Sequence, residues 1–383
     1  MQALQGKRFE ALDSFRGICA LLVVCYHARI LLSVAELPFF RHANYFVEFF
    51  FVLSGFVMYH TYGAKTMDSN RFKDYLTSRF FRIYPMHILV LTVVIGLEFM
   101  KLLGQQKGFY FNNAAFTASA DPKYILPNIL LIQAWVSESA ALSFNVPSWS
   151  ISIEFYLYII FGVLMWKAGK MKNIFFVAIV LVAGTLIMIN QLPLTDQAMR
   201  GLLCFFAGCL SYMAYKKIAF INSNKLLFTI LELVLALLII YTIVADFSGV
   251  YKGIVTTLLF CVTIITFAVE GGAISALLRN KVFTYLGKLS YSIYITHYII
   301  YFLFLATAIV LSKVIGHDLT IVDNSGAVAT RFITTHHVIY DQLILLALLL
   351  VVIVISGFTY KYVELKGIEL GKRFKKKRAA AVA

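Results

Sequence analysis

Acidic residues, prolines and cysteines are scarce in this 383-residue chain: 19 Asp and Glu, six Pro and five Cys. Asp, Glu, Lys and Arg together reach only 14%, against about a quarter in soluble domains, which excludes an ordinary water-soluble globule. Cys19, Cys25, Cys204, Cys209 and Cys261 all fall in apolar stretches, where a thiol behaves as a small hydrophobe, and their spacing forms neither a disulfide framework nor a metal motif. His336 and His337 have no third ligand at a recognisable spacing, so no metal is expected. Internal repeats and an appended soluble domain are also missing. What fills the chain instead is apolar: 61% hydrophobic residues and a mean hydropathy of +0.82.

Apolar windows long enough to span a bilayer recur at Gly17 to Val34, Tyr45 to Tyr62, Ile83 to Leu103, Ser150 to Trp166, Ile174 to Ile189, Ala198 to Tyr215, Leu226 to Val244, Ile254 to Val269, Tyr291 to Leu311 and Leu343 to Tyr362. They predict an all-α polytopic membrane bundle of about ten transmembrane helices. With the N-terminus inside, 25 of the 34 Lys and Arg residues fall on the inner side, so the positive-inside rule puts both termini in the cytoplasm. The net charge of +15 is therefore topological, and no nucleic-acid partner is expected, since that would need a soluble basic surface. Lys7 and Arg8 precede a first helix that carries Arg16 and His27, which reads as a retained signal anchor. The basic tail at 372–383 follows a spanning segment, where anionic headgroups are the simplest partner.

Two long outer segments, Gly104 to Ser148 and Ser312 to Gln342, exceed ordinary connections. The first holds an apolar run, Tyr124 to Val136, too short to span and interrupted by Pro127 and Gln133; a re-entrant segment and a surface lid both fit it.

Arg16 and His27 are the first polar residues of the membrane interior. Eleven helical steps turn about 1100°, three turns plus about 20°, so both side chains share one stripe about 16 Å apart along the axis. Ionisable residues inside a bilayer cost several kcal/mol by about any insertion scale and almost always face a bundle interior or wet cavity. Arg79 and Arg82, three residues apart just before the third window, project from nearly one face. Anchoring at the inner interface accounts for them; the sharper reading is a phosphate site, because a guanidinium donates bidentately and stays charged when partly dehydrated. Glu48 and Glu154 face apolar surroundings and predict pairing with His27 or Arg16. Gly55, beside Ser54, permits close helix approach. His297 is a second intramembrane histidine. Trp135, Trp149 and Trp166 suit interfacial belts, and Trp149 is also placed to stack on a sugar.

Leu12 to Gly17 followed by Tyr26-His27-Ala28, then Phe50 to Phe56, Arg79 to Pro85, Pro147 to Glu154, Leu286 to His297 and Tyr362-Val363-Glu364 form an ordered set across nearly the whole chain. In that set the chain resembles the acyltransferase family 3 integral membrane proteins, bacterial enzymes that acylate, usually O-acetylate, surface and secreted glycans with acyl-CoA. Phe46, Glu48 and Lys366 depart from the family's commoner Gly, Asp and Pro.

The resemblance implies an acyltransferase membrane domain over residues 1–371, in a bacterial inner membrane. Its donor would be acetyl-CoA or another acyl-CoA, its acceptor a glycan or lipid-linked glycan such as an exopolysaccharide or O-antigen unit, and no metal would be needed. His27 would be the general base, with Arg16 and Glu154 beside it in catalysis. Arg79, Arg82 and Arg16 would hold the CoA phosphates and pantetheine. Asp13, Glu48, Ser54, Trp149, Ser150, Tyr291 and His297 would support the site. Direct transfer and an acyl-enzyme intermediate both fit. A proton-coupled transporter or flippase is the rival, since it uses the same intramembrane residue types.

Overall fold

The computed structural model describes residues 7–108, 113–219, 224–247, 249–324 and 330–382. Residues 109–112 of the first long outer segment lie outside the described residues. Its long helices are named in chain order: α1 Glu10–His27, α2 Phe46–Tyr62, α3 Ser69–Gln106, α4 Ser148–Lys167, α5 Lys172–Met188, α6 Asp196–Ile218, α7 Lys225–Val244, α8 Gly249–Val269, α9 Lys281–Ile315, α10 Val338–Thr359 and α11 Leu365–Val382. Each apolar window of the sequence falls on one of the first ten. Among the described residues eight helices are long and apolar enough to cross a membrane. The two window helices outside that set are α1, which carries Glu10, Asp13 and Arg16, and the 17-residue α2.

Side chains start these helices where the backbone N–H groups lack partners. Asp68 accepts from the Arg71 N–H, Thr195 from Ala198, Asn224 from Leu226 and Asn280 from Val282. Gly316, in the left-handed region at φ 66°, ends α9.

Glycines set the centre of the bundle. A Cβ on Gly17 would strike the Leu286 backbone and one on Gly287 would strike Asp13, which presses α1 against α9. Gly55 and Gly208 do the same between α2 and α6, meeting the carbonyls of Phe205 and Val52. Without a hydrophobic drive between helices in lipid, such close backbone approach is what holds them. The rim helix α7 turns Leu226, Ile230 and Leu237 outward.

Several boundaries differ from the sequence reading. The first helix runs seven residues earlier than its window and stops at His27, because the chain beyond it pairs with a strand: Leu31 N–H donates to the Ile333 carbonyl and Ile333 N–H to that of Arg29. That strand, Thr330–Ile333, forms an antiparallel hairpin with Thr320–Asp323, so the second long outer segment adds a small sheet to an otherwise helical fold. The third helix begins at Ser69, not Ile83, and continues through Pro85, so Arg79 and Arg82 sit inside a 38-residue helix. Tyr124 to Val136 folds as short pieces, Ile125–Ile129 and Gln133–Val136, with Gln133 and Ala134 buried against the start of α4. The tail is a helix: α10 passes through a π-helical turn, Tyr360–Glu364, into α11, which docks on α3 through Phe374 on Phe81, Lys375 to Ser78 and Arg378 to Asp74.

Candidate active site

His27 is the last residue of α1. Its Nδ1 lies 3.0 Å from the Val23 carbonyl and 3.1 Å from Nε2 of His297, which is fully buried on α9. His297 Nδ1 is in turn 3.2 Å from the Ile293 carbonyl. A carbonyl only accepts, so one assignment accommodates all three contacts: both rings carry hydrogen on Nδ1, and the single His27 Nδ1–H is shared between the Val23 carbonyl and His297 Nε2. That assignment leaves His27 Nε2 with its lone pair and no protein partner among the described residues. Arg41 stiffens this end, donating from Nη2 to the carbonyls of Cys25 and Ala28 and from Nε to Ala35. Burial raises the carboxyl of its neighbour Glu36 above the ordinary range, against the pull of Arg41 3.5 Å away.

The expected pairing of His27 with a carboxylate is not found. Glu48 is ion-paired at 3.0 Å with Arg200, on the side of α2 away from the central cavity. Glu154 accepts from the hydroxyls of Ser54 at 2.9 Å and Tyr158 at 2.5 Å. Steric logic explains both: α2 turns Glu48 toward α6, while Glu154 shares a face with Tyr158 one turn on. Tyr158 was legible as the i+4 neighbour of Glu154; Arg200, 152 residues from Glu48, carried no local signal.

Toward the opposite end of α1 lie Arg16, Arg79 and Arg82. Arg82 stands within electrostatic reach of Arg16, Arg79 and Glu364, and Arg79 lies over the Tyr158 ring at 5.6 Å with a buried Nε that has no partner. Among the described residues none of the three guanidinium groups forms an ion pair or hydrogen bond. Glu364, which the sequence motif included without a role, accepts from Ser292 at 3.0 Å and faces Arg82 and Arg16.

A narrow cavity of about 40 Å³ lies at the centre of the bundle, lined among others by Arg16, Ser54, Ser150, Glu154, Tyr291 and Tyr294. Tyr291 donates to the Ile83 carbonyl and Ser150 to the Tyr294 hydroxyl, at 2.7 and 2.8 Å. A second cavity of about 240 Å³, bearing Lys7, Arg8, Asp13 and His60, shares the lining residues Arg16 and Leu53 with it. Asp13 is engaged by Arg8 at 2.7 Å. At the far end the central cavity stops at Tyr294 and Phe50, whose rings meet edge to face at 5.8 Å. The His297 ring is 6.0 Å beyond Tyr294, and His27 does not line the cavity. Trp149 packs edge-on against Phe51 outside the lining. Among the described residues no cluster of His, Cys, Asp and Glu could hold a metal ion.

The structure thus gathers Arg16, Arg79, Arg82, Glu154, Ser54, Ser150 and Tyr291 around or beside one cavity and sets the histidine pair past its closed end. No solved structure matches the chain. Acyltransferase MdmB of Streptomyces mycarofaciens is 30% identical over 164 residues, 40% of this chain and 38% of that protein. Protein 2 in the picA locus of Rhizobium radiobacter is 37% identical over 93 residues, 23% of this chain and 44% of that protein. Each match covers less than half of the relative's length. A model of the acyltransferase domain, by contrast, matches residues 9–362, and the chain belongs to that family, acyltransferase family 3.

Proposed function

We propose that this membrane acyltransferase moves an acyl group, in the first instance acetyl, from cytoplasmic acyl-CoA to a hydroxyl of a glycan or lipid-linked glycan on the other side of a bacterial inner membrane. The observation that carries this reading is the polar axis of the bundle: three arginines that form no ion pair among the described residues at one end of the central cavity, with Glu364 facing Arg82 and Arg16, and a backbone-tethered histidine pair beyond the other. The arginine end is also the lysine-rich end, which is why the donor is placed in the cytoplasm and both termini with it.

Arg16, Arg79 and Arg82 hold the diphosphate of CoA, for which their planar forks are suited. About 16 Å of helix separates Arg16 from His27, so the two cannot touch one reacting atom. That distance is bridged by the extended pantetheine arm, for which the narrow cavity past Ser54 and Glu154 must widen. His27 Nε2 takes the proton of the acceptor hydroxyl, the oxygen attacks the thioester carbonyl, and the C–S bond breaks. The departing CoA thiolate takes the proton back. His297 Nε2, accepting from His27 Nδ1–H, holds the ring in the reactive tautomer and stabilises the imidazolium. The Tyr294 hydroxyl, which accepts from Ser150 and keeps its own proton, is a donor at the cavity end for the developing oxyanion, and the Phe50–Tyr294 pair must part for the thioester to reach His27. A transporter leaves the acyltransferase match unexplained.

The test is thiol release from acetyl-CoA by the purified protein with a glycan acceptor. His27→Ala should lower turnover by about a hundredfold to ten-thousandfold, the range for a positioned general base. Near-native turnover of a folded His27→Ala protein would overturn the assignment.

A further inference from the structure

A separate cavity, of about 320 Å³, opens between the start of α2, the end of α5, the start of α6 and the start of α8. Chain direction fixes its place: α1 ends at His27, and α2 and α6 both start at that end, so the cavity shares the His27 end of the bundle. Tyr45, Glu48, Asn190, Asp196, Arg200 and Thr257 give it polar groups, and Ile187, Leu192, Val250 and Ile254 an apolar wall.

Its chemistry is unbalanced: Glu48 Oε2 and Arg200 Nε are both buried without a hydrogen-bond partner among the described residues. Glu48 is 2% exposed; its Oε1 takes Arg200 at 3.0 Å, while its Oε2 is buried with no partner among the described residues. Arg200 also lies against Asp196, its Nε 2.8 Å away in an ion pair without hydrogen-bond geometry, so a ligand oxygen can accept from that Nε. A buried carboxylate oxygen calls for a donor, and buried polar groups in folded proteins are otherwise almost always satisfied. Glu48 and Asp196 balance Arg200 and the nearby Lys252, whose ammonium sits 5.3 Å over the Tyr45 ring and donates to the carbonyls of Ile243 and Ala245, so no excess positive charge draws an anion, and among the described residues the acidic groups form no cluster that could hold a metal. A neutral ligand with several hydroxyls and an apolar face fits: hydroxyls donate to Glu48 and Asp196, the Asn190 amide serves as donor or acceptor, and the Tyr45 ring and aliphatic wall take the C–H face.

We infer that this cavity is a saccharide subsite, holding a sugar unit of the acceptor remote from the hydroxyl that is acylated. Tyr45 connects it to the reaction centre, because the short helix Ala43–Tyr45 that carries it also packs on α1. The inference rests on the acceptor being a glycan, but its test reads binding alone and does not depend on transfer.

Two substitutions address it. Glu48→Gln keeps the shape and removes the carboxylate. Gly253→Leu fills the space: a Cβ at Gly253 meets nothing within 4 Å, the position is helical, and Leu is the better helix former. Saturation-transfer NMR of methyl α-glucoside, methyl α-galactoside and methyl α-mannoside against the full-length protein in nanodiscs, without acyl-CoA, provides the readout. At least one glycoside should bind the wild type, lose about tenfold in affinity with Glu48→Gln, as expected for one charge-assisted hydrogen bond, and lose binding with Gly253→Leu. His27→Ala should bind it as the wild type does. The inference is overturned if no glycoside exceeds empty nanodiscs, if Gly253→Leu leaves binding unchanged, or if Gly253→Leu instead expels a co-purified phospholipid while glycosides give no signal.

Discussion

Two polar regions flank α2, and they are opposites in what they leave unpaired. On one side, Arg16, Arg79 and Arg82 crowd together with no ion pair among the described residues, near Glu154 and Glu364, which are occupied by hydroxyls. On the other, Arg200 is shared by Glu48 and Asp196, and a carboxylate oxygen is left over. Both regions are mostly removed from water, so the remainder in each is costly and specifies what would relieve it: an anion in the first, hydroxyl donors in the second. The arginine cluster is held against its own repulsion by the fold, whereas the Glu48–Arg200 pair helps hold the fold.

That distinction breaks first on Arg200. Arg200→Ala strands a buried carboxylate and should destabilise the protein by about 3–5 kcal/mol, while the double variant Glu48→Leu with Arg200→Met should recover most of it. Thermal unfolding in detergent reads both, and an Arg200→Ala protein as stable as wild type would erase the contrast. Arg82→Ala should behave in the opposite way, with a melting temperature unchanged or raised because like charges are relieved. Its cost should appear as an increase in KM for acyl-CoA of about tenfold or more, since a hydrogen bond to a charged group contributes about 1.5–3 kcal/mol. Donor titrations that leave KM unmoved would remove the arginines from the donor site. Smallest is Asn280→Ala at the start of α9, which should cost about 1 kcal/mol for a lost cap and leave both KM and turnover in place. A change in kinetics there would mean that the helix carrying Tyr291, Tyr294 and His297 transmits strain to the site.

Much of the bundle was legible because lipid leaves so few options. Each apolar window became a helix, and the common stripe of Arg16 and His27 followed from helical period alone. Misplaced boundaries had tertiary causes. Nothing near Val34 says that the chain stops being helical at His27; the Ile333 strand, some 300 residues on, and the Arg41 guanidinium decide it. Ser69 to Arg82 lay outside the third apolar window because it is polar, yet Asp68 caps a helix that runs through it and α11 covers one side. Gly55 announced a close approach, but Gly208 supplied the other half.

By itself, then, the sequence determined the solvent for which the chain is built, the helices that cross it, the polar residues that must turn inward, and which end is basic, since each follows from local composition and a fixed period. Only the tertiary structure decided the distant partners: His27 with His297 rather than a glutamate, Glu48 with Arg200, Glu154 with Ser54. Those choices depend on which helix faces are brought together across 100 to 270 positions, and no local period encodes that distance.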